Sequence, residues 1–176
     1  MYNTHHQIFT TKYEDVRLFA RQILKKNNIT EPPVDILKIA RFYNAEVIPI
    51  YAEQDFCGCV LPIKKKIKNK PAYLILVNIA GQTDGRKIFT IAHEIAHIAL
   101  GHDKYATYAT NLSYKAKNRM EKLCDIFASE ILMPKHFVIK YFYKHKKTEN
   151  IVETLSEIFC VSKEAIQIRL KELELK

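Results

Sequence analysis

The chain has 176 residues, of which 48% are hydrophobic and 27% are charged, so it is long enough for one domain with a buried core. No apolar stretch is long enough to cross a bilayer, and the N-terminus lacks the basic and apolar segments of a signal peptide. We therefore expect a cytoplasmic protein that does not contact a membrane. The net charge of +9 permits contact with nucleic acid or an acidic partner, but a basic balance alone indicates neither.

The first half of the chain predicts two helices followed by a small sheet. Apolar residues recur at helical spacing over 12–28 and 34–43. Three strands are predicted next, at 45–51, 56–63 and 72–79. The last of these is almost continuously apolar, which predicts that both of its faces are covered. The lysine-rich segment that precedes it is predicted to be a charged hairpin connection.

The second half is predicted to be helical. Residues 83–85 are predicted to be a loop, and the helices are expected over 86–101, 115–133, 135–144, 150–159 and 163–175. The order of elements predicts an α+β fold with a small three-stranded mixed sheet, N-terminal helices, a motif-bearing helix and a C-terminal helical bundle. We expect a single domain over 1–176, with 135–176 as a helical subregion.

The most informative stretch carries His93-Glu94-Ile95-Ala96-His97 inside an otherwise apolar helix. Such a helix is predicted to be buried, and burying two imidazoles and a carboxylate without partners is costly. Residues four apart lie about 40° apart around a helix, so His93 and His97 can reach one ion. Glu94 lies beside them, which suits a general base acting on a metal-activated water. The pattern therefore predicts a metal centre.

A catalytic zinc site needs a third protein ligand and an open position. One route is a third histidine after a glycine turn, but Leu100 and Asp103 stand where that longer motif has glycine and histidine. His102 is one residue off the motif, and on a continued helix it would point away from His97. The other route is a carboxylate from the helix at 115–133.

Two carboxylates of that later helix, Glu121 and Asp125, share a face that is otherwise apolar. We predict Glu121 as the third ligand and Asp125 as the acceptor that fixes the tautomer of a ligand histidine. The alternative is that Glu121 pairs with a surface lysine. Glu130 lies about 180° round the helix and is predicted to face solvent. The predicted cofactor is one zinc ion, although this ligand set fits several divalent ions.

Other side chains are candidates for contacts with substrate. Arg86 lies two turns before His93 on the same face, and could hold a carboxylate, a substrate carbonyl or the loop after the third strand. The alternative is that it is a surface arginine at the N-terminus of the helix. Three tyrosines could donate a hydrogen bond to a developing oxyanion, or could simply be packing residues: Tyr105, Tyr108 and Tyr114. The four cysteines form no C-x-x-C pair, so we interpret them as small buried side chains in a reducing compartment.

Taken together, these motifs make the chain similar to the ImmA/IrrE family of zinc metallopeptidases. The resemblance covers residues 30–172. Its most specific feature is the pairing of His93–His97 with a helix that ends in Leu-Met-Pro. The segments that carry the resemblance are Pro33–Ala40, Phe56–Gly58, Leu76–Asn78, Arg86–His97, Glu121–Pro134 and Leu155–Leu170.

The resemblance implies a zincin-like site whose third ligand is Glu121. It also implies a zinc-dependent endopeptidase that cleaves a helix-turn-helix repressor, derepressing mobile-element or stress genes. The length resembles that of the short members, which lack an additional sensor domain. The alternatives are a non-catalytic antirepressor and a DNA-binding module built on 155–170. The mixed charge of that tail favours packing helices, so direct nucleic-acid binding is not favoured.

Overall fold

The small sheet has its most buried strand at its centre. A computed structural model of the chain describes residues 11–53, 55–63, 68, 70–102 and 114–176, without the side chains of 114–117. The described part contains seven helices and three strands: α1 (Tyr13–Lys26), α2 (Ile36–Phe42), β1 (Ala45–Ile50), β2 (Gly58–Pro62), β3 (Tyr73–Asn78), α3 (Asp84–Ala99), α4 (Tyr114–Leu132), α5 (Lys135–His145), α6 (Ile151–Phe159) and α7 (Lys163–Glu172). The predicted α+β class is confirmed.

Strand β3 lies between β1, to which it is parallel, and β2, to which it is antiparallel. Ile75 and Val77 of β3 are buried, as its apolar sequence predicts. The edge strand β2 packs against α3, and Gly58 allows this close approach. A Cβ atom at Gly58 would lie 2.7 Å from both the Leu76 carbonyl oxygen and Thr90 Cγ2. The sheet thus presents one edge strand to the helix that carries the histidine motif.

Asn78, at the end of β3, holds the connection between β1 and β2 in place. Its side chain is fully buried and donates hydrogen bonds to the carbonyl oxygens of Ala52, Glu53 and Phe56 at 2.8–3.1 Å. Its Oδ1 accepts hydrogen bonds from the backbone N–H groups of Ala52 and Ala80, both at 3.0 Å. One side chain therefore satisfies backbone groups that no strand pairs.

We expect Asn78→Ala to lower the free energy of unfolding by about 2–4 kcal/mol, because it leaves several buried backbone groups without partners. Urea denaturation of the two proteins measures the difference. Asn150→Ala serves as the control, since it removes only the N-cap of α6 and is expected to cost about 1 kcal/mol. Equal losses in the two variants would contradict this role of Asn78.

Helix α3 begins earlier than its apolar pattern predicts. The Thr83 hydroxyl accepts a hydrogen bond from the Arg86 N–H at 3.4 Å, so the predicted loop at 83–85 is mostly the first turn of the helix. Gly85 in this turn faces the connection between α6 and α7. A Cβ atom there would lie 2.7 Å from the Ser162 nitrogen. The start of α3 therefore fits directly against the C-terminal helices.

The expectation that Glu130 faces solvent is wrong. Its side chain is 0% exposed and forms an ion pair with Arg169 of α7, whose side chain is only 2% exposed. Arg21 of α1 lies 3.4 Å from the same carboxylate. The helical periodicity assigns one face of α4 to the core but cannot reveal that other helices cover the opposite face.

Among the described residues, no helix combines the length and apolarity that a bilayer crossing needs.

Candidate metal centre

The packing of α3 against α4 brings three predicted ligands together. His93 Nε2 and His97 Nε2 lie 3.3 Å apart. Glu121 Oε2 lies 3.1 Å from the first nitrogen and 3.7 Å from the second. A tetrahedral zinc ion with bonds of about 2.0–2.2 Å requires donors about 3.3–3.6 Å apart. The three atoms therefore already have nearly the spacing that one such ion requires.

Asp125 lies behind one of these imidazoles, one helical turn after Glu121. Its Oδ1 lies 3.0 Å from His93 Nδ1. The carboxylate needs a donor, so it favours a proton on Nδ1, and Nε2 is then the nitrogen that a bound metal would use. This is the arrangement that holds a ligand histidine in the correct tautomer.

The carboxylates of the cluster favour a positive charge between them. Burial lowers the pKa of His93, but hydrogen bonds to Asp125 and Glu121 outweigh this effect and raise the pKa to about 9. The hydrogen bond from His93, together with the nearby His97, holds the pKa of Glu121 well below its usual value. A divalent cation would satisfy the same carboxylates, so the donor set fits a metal both in spacing and in charge.

Glu94 lies on the sheet side of the histidines. It is only 8% exposed, and its carboxylate accepts a hydrogen bond from the backbone of Val60 in β2. Burial raises the pKa of Glu94, while the nearby His97 and His93 lower it by a smaller amount. A carboxylate whose pKa is raised and that lines a cleft is suited to accept and donate protons.

The expectation that His102 points away from His97 is wrong. Helix α3 ends at Ala99, and Gly101 has a φ of +72°, so the chain turns back. The centroid of the His102 ring consequently lies 5.5 Å from that of His97, and His102 is 5% exposed. Burial, followed by the charge of His97, lowers the pKa of His102 to about 4. The prediction failed because it assumed that the helix continues.

Cys124 is a second residue near the cluster that the sequence did not single out. Its Sγ lies 3.4 Å from His102 Nδ1. The same sulfur lies within 4.8 Å of a ring nitrogen of both His93 and His97. Burial raises the pKa of this thiol well above its usual value. The available signal was its position three residues after Glu121, on the same side of α4.

Of the other cysteines, Cys160 is exposed and the remaining two are half-buried, so the interpretation as buried side chains holds only for Cys124.

A cleft of about 620 Å³ opens beside the cluster, between α3, α4 and the start of α7. His93, Glu94 and Asp125 line one part of it, while Ile126 and Ile168 supply apolar surface. The cleft therefore gives a ligand access to the candidate base and to one imidazole.

Arg86 also lines this cleft. Its Nη2 donates a hydrogen bond to Cys57 Sγ at 3.2 Å, just before β2. Tyr105 and Tyr108 lie outside the described residues, as does Asp103. Tyr114 begins α4, but its side chain also lies outside the described part.

A solved structure and a family model match this chain. The structure is described as a Mycobacterium tuberculosis transcriptional regulator, and it matches with a TM-score of 0.62 and 17% sequence identity. The match covers 89% of this chain but only 46% of the regulator, so this chain corresponds to less than half of that protein and the likeness concerns the fold. No curated protein matches significantly.

The family model is that of Peptidase M78, described as the IrrE N-terminal-like domain, and it matches residues 62–171. This match includes β3 and both helices of the candidate metal centre. Because it covers more than half of the chain, the protein belongs to the ImmA/IrrE-type M78 family of metallopeptidases.

Proposed function

We propose that the chain is a zinc-dependent endopeptidase, with His93, His97 and Glu121 as metal ligands and Glu94 as the general base. The observation that carries this proposal is the triangle of donor atoms, with sides of 3.1–3.7 Å, beside a buried carboxylate that lines a cleft. A bound zinc ion would polarise the scissile carbonyl and lower the pKa of a water molecule.

In this proposal each residue of the cluster has a separate task. Glu94 takes a proton from the attacking water and delivers it to the nitrogen of the leaving amine. Asp125 holds the proton on His93 Nδ1 and so keeps Nε2 available as a ligand. The apolar surface of Ile126 and Ile168 excludes water around the substrate segment.

The substrate that best agrees with the family is a helix-turn-helix repressor, whose cleavage derepresses mobile-element or stress genes in the cytoplasm. The cleft supports a peptide substrate, because about 620 Å³ accommodates a short chain segment with its side chains. The alternative of a DNA-binding tail has less support, because Arg169 of α7 is buried in an ion pair instead of being free for phosphate contacts.

Metal content tests the ligand set directly. The wild type, reconstituted with zinc and dialysed, is expected to retain one ion per chain, whereas His97→Ala and Glu121→Ala lose most of it because three donors become two. Plasma mass spectrometry measures the ratio of metal to protein. Glu149→Ala, an exposed carboxylate outside the cluster, should keep its zinc. Unchanged zinc in Glu121→Ala would overturn its role as the third ligand.

Incubation with a repressor separates cleavage from simple binding. Mass spectrometry of a candidate repressor, before and after incubation with the zinc-loaded chain, is expected to reveal two fragments that sum to the intact protein plus one water. An intact repressor in a stable complex would instead support the antirepressor alternative.

We also propose that residues 1–176 form one domain, to which the helical subregion 135–176 belongs as an integral part. The contact of Gly85 with Ser162 and the buried pair of Arg169 with Glu130 support this proposal, since both join the subregion to earlier helices.

A further inference from the structure

A fully buried thiol lies beside the imidazoles of the candidate metal centre, and the proposed reaction gives it no task. Cys124 is 0% exposed, and its Sγ lies within 4.8 Å of a ring nitrogen of both His93 and His97. Glu121 and Cys124 are three residues apart on α4, so both project to the side that faces α3. The same two imidazoles therefore face a partly exposed carboxylate and a buried thiol.

The thiol also has a base beside it. His102 Nδ1 lies 3.4 Å from Cys124 Sγ, and the turn at Gly101 holds the His102 ring against His97. A neutral imidazole at this distance can accept a hydrogen bond from the thiol, which loses its proton when it becomes a metal ligand. The side chains of three histidines and one cysteine therefore lie side by side near the C-terminal end of α3.

The distances lie within reach of coordination. A tetrahedral ion with metal–sulfur bonds of about 2.3 Å and metal–nitrogen bonds of about 2.0–2.1 Å needs sulfur and nitrogen about 3.5–3.6 Å apart. From a separation of at most 4.8 Å, side-chain movements of about 1 Å bring Sγ into that range. Thiolate is a soft ligand and favours thiophilic ions over ions that prefer oxygen ligands.

We propose that Cys124 is an additional ligand of this centre, which joins His93, His97 and Glu121 when a thiophilic divalent ion such as cadmium is bound. The inference rests on the metal centre of the proposed function. On binding, the S–H bond breaks, the proton is released to solvent, and a sulfur–metal bond forms without oxidation or reduction. Four protein ligands leave no open position for water, so this state does not hydrolyse peptides.

The ultraviolet absorption of the metal-loaded chain tests the inference without any substrate. Metal-free protein, kept reduced with a phosphine under nitrogen, is titrated with Co²⁺ and separately with Cd²⁺. A metal-bound thiol is deprotonated and produces a ligand-to-metal charge-transfer band, which histidine and carboxylate ligands do not produce. We expect this band to saturate at one equivalent in the wild type.

The expected result in Cys124→Ser is loss of the band and a Cd²⁺ affinity that is weaker by at least about tenfold. Cys124→Ala is measured in parallel, because alanine removes the sulfur without placing a hydroxyl group in the core, and circular dichroism verifies the fold. Cys57→Ser and Cys59→Ser are the matched controls, since both residues are half-buried cysteines near β2, and both variants should retain the band.

Each other outcome contradicts the inference in a recognisable way. Metal binding by the wild type without the band removes Cys124 from the centre and leaves the set of His93, His97 and Glu121 intact. A band that persists in folded Cys124→Ala assigns it to a different thiol. Absence of any metal binding by the wild type contradicts the inference and the proposed function together.

Discussion

Glu94→Gln is expected to lower the rate of peptide cleavage by roughly 10²–10⁴-fold while zinc remains bound. Glutamine has nearly the same size and keeps a carbonyl oxygen that can accept the hydrogen bond from Val60, so the fold and the cleft should persist. It has no basic carboxylate, however, and so can neither remove a proton from water nor return one to the leaving amine. The initial rate of fragment formation, followed by mass spectrometry at fixed enzyme and substrate concentrations, measures the loss.

Two controls make that result specific. Glu157→Gln makes the same chemical change at an exposed position of α6, outside the cleft, and is expected to leave the cleavage rate unchanged. Measurement of bound zinc in Glu94→Gln separates loss of the base from loss of the metal. Cleavage at the wild-type rate by zinc-loaded Glu94→Gln would remove Glu94 from the mechanism.

The predicted site residues that came together are those whose positions depend on the geometry of a single helix. His93 and His97 share a face because they are four residues apart, and Glu121 and Asp125 share a face of α4 for the same reason. The apolar surroundings of each pair indicated that both faces point inward. The packing of α3 against α4 was therefore enough to bring the two pairs of side chains together.

The residues that the sequence missed depend on the path of the chain between helices. His102 lies against His97 only because the chain reverses at Gly101, which helical periodicity cannot express. Cys124 was treated as packing because a buried cysteine has the same sequence signature whether or not a metal lies nearby. Cys124 and its neighbour His102 are 22 positions apart in sequence, so no local pattern connects them.

Glu130 illustrates the same limit for stability. Its neighbours on α4 are apolar or polar in a pattern that implies one covered face. Arg169 of α7, 39 residues later in the sequence, nevertheless covers the other face. The basic partner, Arg169, lies in a helix whose mixed charges resemble a solvent-exposed surface. Only the tertiary arrangement identifies these two residues as a buried pair.

Arg169→Met is expected to lower the free energy of unfolding by about 3–5 kcal/mol, the range for removal of one partner from a buried ion pair. The change leaves the Glu130 carboxylate buried and also removes the hydrogen bond from Arg169 Nε to the Met133 carbonyl oxygen, at 3.0 Å. Arg21 and Arg17, at 3.4 and 4.0 Å from the carboxylate, compensate for only part of the lost charge. Equilibrium denaturation in urea, followed by circular dichroism, measures the difference.

A second substitution separates the cost of an unpaired charge from the loss of packing. Glu130→Leu in the Arg169→Met background removes the buried carboxylate that has lost its main partner. We expect it to recover a large part of the stability, because apolar groups of similar size replace buried ion pairs well.

If residues 135–176 unfold together with the rest of the chain, as proposed, the Arg169→Met variant shifts one cooperative transition that all probes report equally. A loss below about 1 kcal/mol in Arg169→Met would place this pair among weak surface interactions. A separate early transition of the C-terminal helices would contradict the single domain, because the ion pair would then join two units that unfold independently.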